Sequence, residues 1–76
     1  MDFKDFLKNR IRELRKKAGE TQVQTAKAVG VSPRYYQNLE LGENWPGLEC
    51  FIALADHFGV SLDYLAGRTE ESSCES

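Results

Sequence analysis

Residues 21–42 read TQVQTAKAVGVSPRYYQNLELG, and this stretch contains the signals for two short helices joined by a tight turn. Thr21 can accept a hydrogen bond from the backbone N–H of Gln24, and the Gln24 side chain can reach back to the Thr21 N–H. This capping box predicts a helix that begins at Gln22. Gly30 tolerates a positive φ more readily than any other residue type, so we expect the helix to end there.

A second helix follows after a turn of about three residues. Ser32 is a favourable N-cap residue, Pro33 suits the first helical position, and Gly42 can end the helix in a left-handed conformation. Helices joined by so short a turn must cross steeply. This is the geometry of a helix-turn-helix motif, which lays its second helix in the major groove of DNA.

The flanking sequence predicts three further helices, over Phe3–Ala18, Leu48–Phe58 and Leu62–Ala66. The first two carry apolar residues at helical spacing, and Ser61 can cap the third. The residues expected to face the core are Phe3, Leu7, Ile11, Leu14 and Ala18 in helix 1, Tyr36 and Leu39 in helix 3, and Leu48, Phe51, Ile52, Ala55 and Phe58 in helix 4. The sequence contains no strand alternation and no internal repeat. The predicted fold class is therefore all-α, a compact five-helix bundle with a helix-turn-helix formed by helices 2 and 3.

A chain of 76 residues is long enough for one small domain. We expect residues 1–67 to form this helix-turn-helix DNA-binding domain. Residues 68–76 are polar and acidic and lack apolar periodicity, which predicts a disordered tail.

The composition argues against several classes of protein. The single histidine, His57, and the two cysteines, Cys50 and Cys74, lack metal-ligand spacing, and no set of nucleophile, base and orienting residue indicates an enzyme. We expect no metal, no cofactor and no small-molecule ligand. No signal-peptide core follows the acidic start Met1-Asp2, and no apolar run reaches the roughly 18 residues that a membrane span needs. The expected location is the cytoplasm, with both thiols reduced.

The formal net charge is −2, but its distribution is uneven. Residues 1–18 contain seven Lys and Arg against three acids, whereas residues 43–67 contain four acids and no Lys or Arg. A surface that contacts phosphate needs only local positive potential, so the uneven distribution is compatible with DNA binding. The alternative is that helix 1 has a basic face that is simply solvated.

The predicted outer face of helix 3 is polar. The side chains opposite Tyr36 and Leu39 are Pro33, Arg34, Gln37, Asn38 and Leu41. Arg can donate two hydrogen bonds to guanine, and Asn or Gln can form a pair with adenine. Arg34 and Asn38 are therefore the first candidates for base contacts. The alternative is that this face is only solvated.

A set of residues in one ungapped register over residues 8–67 resembles the lambda-repressor-like family of DNA-binding domains, the Cro and phage-repressor type. The matching residues are Arg10-Ile11-Arg12-Glu13-Leu14-Arg15, Thr21-Gln22, Ala26, Gly30-Val31-Ser32, Leu39-Glu40, Gly42, Pro46, Leu48-Glu49 and Gly59-Val60-Ser61-Leu62-Asp63-Tyr64-Leu65. Each piece alone is weak, whereas the ordered set is specific.

The resemblance implies roles for residues at the matching positions. Bases would be read by Pro33, Arg34 and Asn38, although proline can supply only apolar contact, for example to a thymine methyl group. Gln22 would bond a phosphate and steady the first recognition residue, the alternative being a simple helix-start residue. Further expected phosphate contacts are Tyr35, Lys27, Lys16 and Lys17, assisted by the positive end of the second helix. The resemblance also implies a structural ion pair between Arg15 and Glu40.

Three features depart from the family pattern. Glu20 and Thr25 stand where relatives carry aliphatic residues that form a hydrophobic staple, which suggests one compensated change. The loop after helix 3 lacks a basic residue and contains Trp45, whose alternatives are a lid over the core, a contact with a partner and packing against the DNA backbone. His57 is expected on the surface, and Cys50 is expected to be half-buried.

The leading hypothesis is a sequence-specific transcriptional regulator of bacterial or phage repressor type that binds double-stranded DNA. The family resemblance implies a homodimer on a pseudo-palindromic operator, and the apolar residues of helix 5, Leu62, Leu65 and Ala66, are the expected dimer patch. The alternative is a protein-binding adaptor or antitoxin-like module with the same fold.

Overall fold

The computed structural model describes residues 3–69, which contain five α-helices and no strand. The helices are α1 (Phe3–Lys17), α2 (Gln22–Val29), α3 (Pro33–Leu41), α4 (Leu48–Phe58) and α5 (Leu62–Leu65). This confirms the predicted all-α fold class. Helices α1 and α5 each end one residue earlier than predicted, at Lys17 and Leu65. The predicted tail lies, from residue 70 onward, outside the described residues.

The turn between α2 and α3 follows the local signals of the sequence. The capping box is complete, since Thr21 Oγ1 accepts from Gln24 N at 3.1 Å and Thr21 N donates to Gln24 Oε1 at 2.9 Å. Gly30 ends α2 with φ 81°. Ser32 Oγ accepts from Tyr35 N at 3.1 Å at the start of α3. The side chain at each helix start therefore satisfies one otherwise unpaired backbone donor.

The core lies where α2 packs on α3 and α4, and where α1 packs on α3, α4 and α5. Its buried members are Leu7, Ile11, Ala26, Tyr36, Leu39, Cys50, Leu54, Ala55, Val60 and Leu65. Tyr36 and Leu39 face the core as predicted. Burial also raises the pKa of the Cys50 thiol, which keeps this thiol protonated at neutral pH.

The predicted core face of α4 was partly wrong. Leu54, which the prediction omitted, is fully buried, whereas Leu48 is 74% exposed and Ile52 is 40% exposed. Ala55 is buried, and Phe51 and Phe58 are partly buried against the core. The buried stripe therefore runs through Leu54 and Ala55. Leu48 and Ile52, one turn apart, form a second apolar stripe that faces outward.

The polar residues at the staple positions of α2 form a hydrogen-bonded cluster. Thr25 is fully buried and donates to Glu20 Oε1 at 2.6 Å. His57, expected on the surface, is half-buried, and its Nε2 lies 2.8 Å from the same oxygen. Because a carboxylate only accepts hydrogen bonds, Nε2 carries the proton. The suggested compensated change is present, and it joins the start of α2 to α4 through hydrogen bonds in place of apolar contact.

Arg10 holds helix α5 to α1 from an unexpectedly buried position. Arg10 is only 8% exposed, and its guanidinium lies 3.9 Å from the ring centroid of Tyr64 and 4.8 Å from that of Phe6. Contacts of this kind contribute more when the cation is desolvated. Gly67, with φ 82°, follows α5, and a side chain there would meet Phe6 at 2.7 Å.

The described residues include no helix long and apolar enough to cross a membrane. Within residues 3–69, His, Cys, Asp and Glu form no group of three or more that could hold a metal ion.

Thr25→Val tests the polar cluster because it keeps the shape of the side chain and removes the hydroxyl. The Thr25 hydrogen bond is the largest cause of the lowered Glu20 pKa, followed by the bond from His57. We expect the variant to lose about 1–2 kcal/mol of unfolding free energy at neutral pH.

The pH dependence of this loss follows from the direction of the shift. Folding lowers the Glu20 pKa below 4.5, so its stabilisation is present above about pH 4.5 and is lost as the pH falls through the folded-state pKa. The difference between variant and wild-type protein should therefore shrink below pH 4.5 in urea denaturation experiments. A difference that stays constant into the acid range would show that the stabilisation from Thr25 does not depend on the charge of Glu20.

Candidate nucleic-acid interface

The outer face of α3 is accessible along its length. Pro33, Arg34 and Gln37 are exposed, and Asn38 is half-buried. Leu41, the last residue of α3, is 51% exposed on the same face. On the opposite side of the helix, Tyr36, Leu39 and Glu40 are buried. The structure thus brings the four predicted base-contact residues to one surface, where one guanidinium and two amides can reach a ligand.

This orientation of α3 is fixed by a carboxylate buried beneath it. Glu40 is fully buried, and its two oxygens accept from Arg15 in a bidentate arrangement, with Nε to Oε2 at 2.7 Å and Nη2 to Oε1 at 3.1 Å. Arg15 also donates to the Glu20 backbone carbonyl at 2.9 Å. Arg12 donates to the Glu40 backbone carbonyl at 3.0 Å. Arg15 and Glu40 therefore form the expected ion pair, and one arginine joins α1, α3 and the turn before α2.

In the Arg15–Glu40 pair, hydrogen bonding lowers the pKa of Glu40 by more than burial raises it. Burial alone would raise the pKa of Glu40, but the hydrogen bonds from Arg15 and Gln22 outweigh it and hold the pKa below its ordinary value. The Tyr36 hydroxyl is buried beside the same carboxylate. It has no hydrogen-bond partner among the described residues. Burial, and then the neighbouring Glu40 carboxylate, raise the pKa of Tyr36, so the phenol stays neutral. The single negative charge of the cluster is therefore on Glu40.

Gln22, an expected phosphate contact, is used inside the protein. Its Nε2 donates to Glu40 Oε1 at 3.0 Å, which links the first residue of α2 to the last turn of α3. Because Glu40 can only accept, the amide nitrogen must face it. The amide nitrogen has a second N–H, which the bond to Glu40 does not use. Gln22 is thus more than the simple helix-start residue of the alternative interpretation, since it positions α3.

Tyr35 also has an intramolecular role that the sequence did not reveal. Its hydroxyl donates to the Trp45 carbonyl at 3.2 Å and accepts from Gly47 N at 3.3 Å. A phenol has one proton, so a direct bond from Tyr35 to a phosphate would require the bond to Trp45 to break. In this conformation Tyr35 holds the loop between α3 and α4 against α3.

The basic face predicted for α1 is largely occupied by structural contacts. Arg12 and Arg15 bond to Glu40, and Arg10 packs against two aromatic rings. Lys8 lies 3.4 Å from Asp5. The exposed lysines among the predicted phosphate contacts are Lys16, Lys17 and Lys27. Fewer cations of α1 are therefore available at the surface than the count of Lys and Arg in residues 1–18 suggests.

The family model described as helix-turn-helix matches residues 11–65 of the chain. The chain belongs to this helix-turn-helix family. The match covers α2, α3 and the turn between them, together with the C-terminal part of α1 and the whole of α4 and α5. Membership confirms the resemblance that the ordered motifs indicated.

Curated relatives are identical to the chain at about a third of the aligned positions. The cryptic phage CTXphi transcriptional repressor RstR of Vibrio cholerae is 37% identical over 82% of this chain and 55% of its own length. The transcriptional regulators ImmR and AnsR of Bacillus subtilis are 33% and 36% identical, over 87% and 83% of this chain and 52% and 54% of their own lengths. These three relatives are named as transcriptional repressors or regulators rather than as enzymes. The chain spans about half the length of the curated relatives it matches. No solved structure matches the chain.

The expected dimer patch on α5 needs correction. Leu65 is fully buried and packs in the core of this domain, so it cannot contact a second copy. Ala66 is half-buried, which leaves Leu62, at 43% exposure, as the one large apolar side chain of the three at the surface. A single exposed leucine is ordinary on a protein surface and does not by itself indicate an interface.

Arg15→Met tests the buried ion pair because it leaves the Glu40 carboxylate buried without its main partner. We expect the free energy of unfolding to fall by about 3–5 kcal/mol, and Arg12→Met, whose side chain is 41% exposed, to change it by less than about 1 kcal/mol. The double variant Arg15→Met/Glu40→Met removes both charges and should recover most of the loss. Thermal denaturation followed by circular dichroism measures all three variants. Equal losses in Arg12→Met and Arg15→Met would contradict the assignment.

Proposed function

We propose that the chain binds double-stranded DNA as a sequence-specific transcriptional regulator of bacterial or phage repressor type, with α3 in the major groove. The observation that carries the proposal is the two-sided character of α3. Its buried side is anchored by Glu40, and its outer side presents Arg34, Gln37 and Asn38 to solvent. A short helix with a fixed inner side and a row of guanidinium and amide groups outside matches the requirements of base-edge recognition.

The outer residues differ in what they can read. Arg34 can donate two parallel hydrogen bonds to O6 and N7 of guanine, and Gln37 or Asn38 can pair with N6 and N7 of adenine. Pro33, at the first position of α3, has no N–H and supplies apolar contact, of which the C5 methyl group of thymine is the matching partner. The proposed contact set therefore combines one guanine-reading residue, two adenine-reading residues and one apolar residue.

Phosphate contacts would fix the position of the domain without selecting the sequence. Exposed lysines can supply the charge, namely Lys16, Lys17 and Lys27. The free N–H of the Gln22 amide can add one hydrogen bond, and the start of α2 adds the positive end of a helix dipole. Tyr35 would contribute through the loop it holds rather than through a direct bond to phosphate.

We propose that the active form is a homodimer on a pseudo-palindromic operator. One nine-residue helix can contact only a few base pairs, which is too little to select a site in a genome. Two copies that read half-sites about 34 Å apart multiply the selectivity. The names of the matched relatives, which include a phage transcriptional repressor, support the regulatory part of the proposal.

Selection of bound duplexes from a random pool, repeated at several salt concentrations, tests the proposal. A palindromic consensus should emerge, and log affinity should fall with log salt at a slope of about −0.9 for each phosphate contact. Failure to enrich any sequence at low salt would reject DNA binding and favour the protein-binding adaptor as the alternative.

Two exposed cations give a matched pair of variants for this experiment. Arg34→Ala should cost about 1–3 kcal/mol of binding free energy and relax the preference at one base pair, because it removes a base contact. Lys27→Ala should weaken all sequences alike and reduce the salt slope by about one contact. An unchanged consensus with Arg34→Ala would show that Arg34 does not read a base.

A further inference from the structure

An exposed apolar surface lies at the junction of the start of α1, the loop after α3 and the start of α4. We name it the Trp45 patch and define it by Phe3, Trp45, Leu48 and Ile52, which are 37%, 53%, 74% and 40% exposed. Trp45 stacks on Phe3, with ring centroids 5.3 Å apart and planes 11° apart. A groove of about 300 Å³ runs beside the two rings and continues to Leu48.

Folding of this domain does not explain the patch. A residue that serves as a lid would lose most of its exposure, whereas Trp45 keeps about half of its surface in contact with solvent. Leu48 and Ile52 lie on the outward stripe of α4, away from the buried Leu54. No described element covers them. The cost of leaving four large apolar side chains in water indicates a partner.

The size of the patch favours a modest interface. From the exposed fractions, the four side chains present on the order of 400 Å² of surface, within the range of functional patches on monomers. Two such patches that face each other would bury on the order of 800 Å², and polar residues at the edge would add to this. That total lies in the range of weak protein–protein contacts, below about 1,200 Å².

Charges at the edge of the patch suit a second copy of the same chain. The Lys4 ammonium lies 5.5 Å from the centroid of the Trp45 ring, on the α1 side. Glu49 is exposed next to Leu48, on the α4 side. A twofold axis that lies in the interface and runs between Lys4 and Glu49 brings the cationic side of one copy to the acidic side of the other. A surface with both signs on its edge is self-complementary, as an isologous interface requires.

The dimensions of the domain also fit a small contact. Its Cα atoms extend over 29 × 26 × 22 Å. Two domains that read half-sites about 34 Å apart can therefore meet only at their edges. The Trp45 patch follows directly on α3 in the chain, and Tyr35 of α3 bonds to the Trp45 carbonyl. This hydrogen bond links a contact at the Trp45 patch to α3, the proposed base-reading helix.

We propose that the Trp45 patch is the surface on which a second copy of this chain docks, weakly in solution and fully when both copies occupy DNA. Only the second part of this inference, full docking on DNA, rests on the proposed DNA binding. It replaces the α5 surface around Leu62 as the site of dimerisation.

Self-association of the protein in the absence of DNA tests the first part of the inference, weak docking in solution. Leu48→Asn is the test variant, because Leu48 is the most exposed member of the patch and its replacement leaves the core intact. Leu62→Asn on α5 and Val23→Asn on α2 are matched controls on other faces, at 43% and 58% exposure. Sedimentation equilibrium should give a dimer association constant that Leu48→Asn lowers by about tenfold or more and that both controls leave unchanged.

Fluorescence gives an independent readout at the patch itself. Trp45 is the only tryptophan in the sequence, so its emission reports on the patch without labelling. The emission should shift to shorter wavelength with rising protein concentration in the wild-type protein and in both controls, but not in Leu48→Asn. Association lost in Leu62→Asn and retained in Leu48→Asn would overturn the assignment in favour of α5, and a wild-type protein that stays monomeric at every concentration would overturn the solution part.

The second part of the inference, docking on DNA, is tested with duplexes recovered from the selection experiment. With one half-site, wild-type protein and Leu48→Asn should bind with equal affinity, because Leu48 contacts no base. With two half-sites, Leu48→Asn should lose about tenfold in affinity and lose cooperativity. Equal cooperative binding by both proteins would overturn the inference while leaving DNA binding intact. If no duplex is bound at all, DNA binding fails, and the sedimentation result still decides whether the patch joins two copies.

Discussion

The buried carboxylate of Glu40 imposes the constraint on which the arrangement of the first three helices depends. A fully buried charge requires partners, and here Arg15 supplies two hydrogen bonds from α1 and Gln22 supplies one from the first residue of α2. Arg15 also bonds the Glu20 carbonyl and so fixes the turn before α2. The three helices can satisfy this charge in one relative orientation. That orientation directs the opposite face of α3, with Arg34 and Gln37, toward solvent.

This constraint changes the interpretation of the charges. From the sequence alone, the seven Lys and Arg of residues 1–18 are compatible with a phosphate-binding surface. Two of the arginines neutralise or bond Glu40, and Arg10 lies between aromatic rings, so these cations stabilise the domain. The positive field at the surface comes from a few exposed lysines, Arg34 and helix N-termini. A protein with a net charge of −2 can present such a local surface.

Local signals in the sequence predicted the elements well, and long-range contacts were harder to predict. The capping box at Thr21, the glycine at position 30 and the cap at Ser32 each act within a few residues, so their consequences can be derived from the sequence. The core face of α4 was predicted poorly because apolar residues occupy more than one stripe. Leu48 and Ile52 fit the helical period as well as Leu54 does, and only tertiary packing selects between them. The bond between Glu20 and His57 joins residues 37 positions apart, for which the sequence contains no periodic signal. The exposed face of α3 could be derived from the sequence because it is the complement of the buried side, whereas the internal hydrogen bonds of Gln22 and Tyr35 could not.

The proposed function requires that α3 has an anchored inner side and a separate outer side that contacts DNA. NMR titration of the ¹⁵N-labelled protein with a selected duplex measures both sides at once, since side-chain N–H signals report on each group directly. We expect large changes for Arg34 Nε and for the amides of Gln37 and Asn38. The Arg15 Nε signal should keep the same chemical shift and slow hydrogen exchange in the free and bound states, because Arg15 stays bonded to Glu40. Loss of the Arg15 signal on binding, with Arg34, Gln37 and Asn38 unchanged, would show that the outer side of α3 does not contact DNA.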